Sequence, residues 1–72
     1  MNWYLIVNWH RPGYIYIKAK SAHDAMTTLL TAIGSPRKIA ANHETIDGSY
    51  HEYVLDDADQ YQVTEVEPWE MV

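Results

Sequence analysis

The sequence predicts an α+β domain: a small antiparallel sheet of ββαββ type, with room for one further strand and a short second helix, and one main helix packed on one face. Three observations predict it. Apolar, β-branched and aromatic residues run together up to a Pro-Gly pair. A single apolar stripe at helical spacing follows a serine. The second half then alternates and is interrupted only by turn residues.

Asn2 to Trp9, NWYLIVNW, is too short and too unperiodic for an amphipathic helix and reads as a strand. Pro12 presets one turn dihedral and Gly13 supplies the positive φ of the next. YIYIKAK alternates strictly, so Ile15, Ile17 and Ala19 share one side and Tyr14, Tyr16, Lys18 and Lys20 the other. The two segments form an expected hairpin. Ser21 is placed to cap a helix, with Asp24 where the first-turn amides and the dipole favour a carboxylate. Ala22, Ala25, Met26, Leu29, Leu30 and Ile33 make its apolar stripe, Gly34 stops it, and Pro36 prevents continuation. Ser35 and Pro36 also suit the start of a second short helix through about Asn42. Beyond it, Asp47-Gly48 marks a tight turn, SYHEYVL a strand, DDAD a polar turn, and QYQVTEVE a last strand ended by Pro68.

With Leu5 and Val7 under the helix beside Ile15 and Ile17, period-two geometry sends Tyr4 and Ile6 to the other face with Tyr14 and Tyr16. Strands carrying Tyr50, Tyr53 and Tyr61 are expected to close over that second face, the alternative cover being a partner.

The 72 residues predict one domain spanning residues 1–72, near the lower size limit for a self-sufficient core. The chain holds no cysteine, which excludes disulfides, thiolate nucleophiles and Cys-ligated zinc. No basic stretch precedes a long apolar run, so the expectation is a cytoplasmic protein without a leader or membrane span.

Charge is the most informative feature. Residues 1–42 carry all five basic groups, Arg11, Lys18, Lys20, Arg37 and Lys38, against Asp24 alone, a net +4. Residues 43–72 carry nine acids and no base, a net −9, and the halves together give the chain's −5. Such a balance disfavours nucleic acid and favours basic protein surfaces, unless the acids simply keep the second half dissolved.

No constellation carries catalysis. His43 and His51 each precede a glutamate, but neither has the second histidine four residues on that a metalloprotease helix requires, and a meeting across a hairpin would leave the site incomplete. Ser21, Ser35 and Ser49 occupy cap, boundary and turn positions. Asp56, Asp57 and Asp59 share one turn rather than facing across a cleft, and they do not follow the calcium-loop pattern. The expectation is a non-enzyme without cofactor or metal. Tyr14, Tyr16, Lys18 and Lys20 form a miniature aromatic and basic strip, which the acidic balance of the whole chain sets below protein binding. Candidate partner-binding residues are Trp3, Tyr4, Trp9, His10 and Arg11 as anchors and Glu65 and Glu67 for steering.

The layout NWYLIVNWHRPGYIYIKAKSAHDA, followed by acidic strands such as YQVTEVE, is similar to small bacteriophage proteins that commandeer host complexes. In size, layout and charge, over nearly the whole chain, it resembles the RNA-polymerase-binding transcription regulators of lytic Xanthomonas phages. The resemblance implies binding to the amino-terminal part of the polymerase β′ subunit, repression of host-type promoters, antitermination near the RNA exit channel, and residence in the host cytoplasm. Anti-CRISPR proteins, which share the size and acidity, are the alternative, as is any inhibitor that mimics nucleic acid with a continuous stripe of carboxylates.

Overall fold

The computed structural model describes residues 1–71. Its elements run β1 (Asn2–Asn8), β2 (Tyr14–Ala19), α1 (Ala22–Ala32), β3 (Ile39–Glu44), β4 (His51–Leu55), β5 (Gln60–Val66) and a 3₁₀ turn at Pro68–Glu70. The five strands form one sheet in the order β2-β1-β5-β4-β3, with every neighbouring pair antiparallel. The fold is α+β, and α1 packs on one face of the sheet over β2, β5 and β1.

The first hairpin is wider than a Pro-Gly turn alone would make it. Pairing ends at Val7 opposite Tyr14, and the loop Trp9–Gly13 spans the gap, with Gly13 at φ 104°. His10 N–H donates to Asn8 Oδ1 at 2.8 Å, which folds the loop back on its own strand. The helix begins where expected: Ser21 Oγ accepts from Asp24 N–H at 3.1 Å. It ends in a Schellman arrangement, in which Ser35 N–H donates to Leu30 O and Gly34 N–H to Thr31 O, with Gly34 left-handed at φ 67°. Ile33, expected in the apolar stripe, is the C-cap, where the chain leaves helical geometry, and it is exposed.

The segment after Pro36 does not form a second helix. Ile39–Glu44 is an edge strand against β4, with an irregularity between Ile39 and Ala41. An isolated helix of that length cannot offset its nucleation cost, whereas β4 offers a ready ladder and Ile39 a place against the core.

Face assignment also differs from expectation. Tyr4 and Ile6 are buried beneath α1, and Leu5 and Val7 lie on the opposite face. Residues directly opposite in a ladder share a face, and the register sets Tyr4 against Ile17, Ile6 against Ile15, Leu5 against Tyr16 and Val7 against Tyr14. The core therefore comprises Tyr4, Ile6 and Ala19, the helix residues Ala22, Ala25, Met26, Leu29 and Leu30, and Tyr53, Leu55, Tyr61 and Val63 of the last two strands. These strands do not fold around the second face. They extend the sheet in plane and send Tyr53 and Tyr61 to the helix side.

Candidate functional site

Alternation along the strands gives the face away from α1 a definite composition. β2 contributes Tyr14, Tyr16 and Lys18, β1 contributes Trp3, Leu5 and Val7, and β5 contributes Gln60, Gln62, Thr64 and Val66. β4 adds Glu52 and Val54, and β3 adds Ala41 and His43. Among the described residues no element covers this face. The apolar side chains of β1 are half-buried by their neighbours on the sheet, while Tyr14 remains 59 % exposed.

At one end the face is an aromatic platform. Tyr14 and Tyr16 meet edge to face with ring centroids 5.5 Å apart, and Lys18 Nζ lies 5.8 Å from the Trp3 ring centroid. Within the strands, Glu52 is the one carboxylate on this face. Glu65 and Glu44 lie on the helix side, and the other second-half acids occupy turns and the C-terminal segment.

The charged residues of the two halves are less separate in space than in sequence. Asp59, whose side chain is only 9 % exposed, accepts from Arg11 at 2.6 Å and Arg37 at 2.8 Å through Oδ2, and from Asn8 Nδ2 at 2.9 Å through Oδ1. Arg37 also reaches Asp57 at 3.2 Å, and both guanidinium groups donate to the Tyr61 hydroxyl. Burial alone would raise the Asp59 pKa, but the bonds from Asn8, Arg37 and Arg11 outweigh it and hold the carboxyl well below the usual range. Both arginines are correspondingly raised, chiefly by Asp59. The cluster ties the β1–β2 loop and the α1–β3 connection to the β4–β5 turn.

Compared with protein-family models, curated proteins and solved structures, the chain matches none.

The residues singled out in the sequence do not form one patch. Trp3 lies on the open face; Tyr4 is a core residue at 5 % exposure and cannot anchor a partner in the folded state. Trp9 and His10 are exposed on the first loop, about 20 Å along the strand from Trp3 at the usual strand rise. Arg11 is engaged with Asp59. Glu65 is exposed on the helix side, within 3.3 Å of Asn2 Nδ2, and Glu67 precedes the 3₁₀ turn. Leu5, Val7 and Val66 are the face residues that the expectation missed, whereas Tyr14 and Tyr16 lie on the second face as expected. The register groups Leu5 and Val7 with Tyr14 and Tyr16, and that register is set by pairing Val7 with Tyr14 across a loop longer than the Pro12-Gly13 turn.

A polar cleft of about 460 Å³ lies beside the start of α1, lined by Lys20, His23, Glu44, His51 and Glu65 among others. His51 Nδ1 is buried there without a hydrogen-bond partner among the described residues. His43 and His51 do not meet: His43 stands opposite Glu52 and His51 opposite Glu44, on different faces. Among the described residues no group of three or more His, Asp or Glu side chains is placed to hold a metal ion, and no helix is long and apolar enough to cross a membrane.

Proposed function

We propose that this chain is a non-catalytic protein-binding module that docks through the open face of its sheet, and that its partner is bacterial RNA polymerase. The observation that carries the docking surface is the uncovered strip of Trp3, Leu5, Val7, Tyr14 and Tyr16, an apolar and aromatic patch of the kind that small soluble domains keep for partners. The partner's identity comes from the resemblance in size, layout and charge to phage transcription regulators, which directs the interaction to the amino-terminal part of the β′ subunit and the effect to inhibition of initiation and to antitermination. Glu65, Glu67 and Glu70, beside the platform's Trp3 end, supply the negative potential that steers the module to a basic surface.

Two features set this reading above a nucleic-acid mimic or an anti-CRISPR blocker. Asp57 and Asp59 of the β4–β5 turn are paired with Arg11 and Arg37, and the remaining acids are divided among turns, strands and the C-terminal segment instead of forming a continuous stripe. A net charge of −5 likewise opposes direct use of the aromatic platform for single strands.

The test is capture with immobilised protein from mixtures of purified bacterial RNA polymerase and purified CRISPR effector complexes. Retention of polymerase, lost in Leu5→Asp, supports the reading. Retention of a CRISPR effector alone replaces it with the blocker, and retention of polymerase by Leu5→Asp at wild-type strength removes the open face as the docking surface.

A further inference from the structure

In an antiparallel ladder each residue sends its N–H and C=O to the same side, and the side alternates along the strand. Trp9 N–H donates to Gln60 O of β5 at 3.0 Å, so odd residues of β1 face β5 and even residues face β2. With Tyr4 opposite Ile17 and Ile6 opposite Ile15, β2 turns the backbone groups of Ile15 and Ile17 inward. Those of Tyr14, Tyr16 and Lys18 point outward, and among the described residues no strand pairs with them. This edge is regular and rich in apolar side chains: Tyr14 is 59 % exposed and Ile15 42 %. The opposite edge, β3, is protected by its irregularity and by its polar Asn42, His43 and Glu44.

We propose that two copies of this chain associate through their β2 strands, antiparallel about a two-fold axis at Tyr16, into one continuous sheet. The edge is self-complementary in this register. Tyr16 exchanges N–H to C=O bonds with Tyr16 of the second copy, and Tyr14 does the same with Lys18. Side chains agree with backbone: on the open face each Lys18 ammonium meets a tyrosine ring instead of another lysine, and on the helix face Ile15 lies against Ile17 and loses its exposure. Lysines guard an edge when pairing would oppose like charges, and here it does not.

Two further observations favour a second copy as the occupant. α1 packs chiefly over β2, so the two helices flank the axis on the same side of the joined sheet. In the single chain a groove of about 490 Å³ runs beside α1 and the end of β2, and its small residues Ala19, Thr28 and Ala32 leave room for the second helix. The lysines of the two edges are also offset: in this register the two Lys18 residues stand four positions apart along the joined strands, roughly 13 Å at ordinary strand rise and outside the Debye length of about 8 Å in physiological salt, so like charges do not meet.

Sedimentation velocity from micromolar to millimolar concentration tests the association. The expected result is a species of twice the 8.4 kDa chain mass that dissociates on dilution, and a Tyr16→Lys variant that stays monomeric with an unchanged circular dichroism spectrum. Because the chain holds no cysteine, Tyr16→Cys introduces a single thiol. Paired residues at such a position have Cα atoms about 5.5 Å apart, within disulfide reach. Tyr16→Cys should therefore form a crosslinked dimer roughly tenfold or more faster than Trp69→Cys, whose exposed side chain belongs to the 3₁₀ turn and not to β2. A monomer at every concentration, a dimer that survives Tyr16→Lys, or equal crosslinking of the two cysteine variants overturns the proposal. If Tyr16→Lys fails to fold, the cysteine comparison decides. The open face of each chain is intact in the monomer, so failure here is distinct from failure to capture polymerase.

Discussion

Asp59 sits beneath two guanidinium groups with its second carboxylate oxygen on Asn8, and its depressed pKa makes stability depend on pH. The unfolded carboxyl titrates near 4 and the folded one far lower. Its contribution is therefore complete at neutral pH and is lost as the pH falls below about 4. Asp57, held down first by the Asp59 backbone N–H, and Asp47, held down by the backbone and hydroxyl of Ser49, act in the same direction. In Asp59→Asn the difference in urea midpoint between pH 7 and pH 3 should shrink; an unchanged difference would show that the cluster does not form in solution. Replacing Asp59 by alanine at pH 7 should cost roughly 2 kcal/mol, the usual worth of hydrogen bonds to a charged group discounted for the solvent that reaches both arginines. Arg37→Ala should destabilise more than Arg11→Ala, because Arg37 is the more buried and also binds Ser35 and Asp57. One residue away, Ala58 adopts φ 70°, a left-handed conformation that disfavours any Cβ. It occupies the bulge position of the β4–β5 hairpin, donating from N–H to Leu55 O while Leu55 N–H donates to Asp59 O. Ala58→Gly should raise stability by about 1 kcal/mol, measured by denaturant titration, and a loss instead would mean that the turn has another conformation.

Hairpin, helix and turns were legible element by element because each is set by local chemistry. The Ser21 cap, the Gly34 stop, and the Asp47-Gly48 and DDAD turns all fall where their residues require them. What local chemistry does not encode is the neighbour of each strand. For the segment that forms β3, Ser35 and Pro36 suit a helix start, while the competing term, pairing with β4, is non-local. The exchange of faces on β1 has a different origin. Tyr4, Leu5, Ile6 and Val7 are all apolar enough for either side, so composition cannot choose and only the register with β2 does. A pair of truncations measures that choice. Tyr4→Ala should cost about 3 kcal/mol, as for a large buried side chain, whereas Leu5→Ala, on the half-buried open face, should cost less than about 1 kcal/mol. The reverse order in thermal unfolding would return Leu5 to the core and Tyr4 to the surface.

At the scale of the molecule, a single helix over a five-stranded sheet covers one face, and among the described residues no element covers the other. The candidate site was only partly legible for this reason. Trp3 was identified from its residue type, but the surface it belongs to is assembled by strand order, which brings β5 between β1 and β4 and makes β2 an edge. The charge asymmetry was legible as composition and misleading as geometry, since Arg11 and Arg37 cross to the acidic turn and neutralise part of it. What survives is a basic edge at β2 and acids gathered on the remaining turns and the C-terminal segment. The apolar open face and the residual acids should act on different steps of partner binding. Groups that lose water in the complex govern how long it lasts, whereas rim charges govern how often encounters succeed. If the partner is RNA polymerase as proposed, Trp3→Ala should raise the dissociation rate from it with little change in the association rate. Glu65→Lys combined with Glu67→Lys should lower the association rate and flatten its dependence on salt, without unfolding the domain, because both carboxylates are exposed. Surface-bound kinetics across a salt series separates the two effects; an association rate indifferent to the paired lysine substitutions would reduce the acids to a solvating role and leave the open face as the sole determinant of binding.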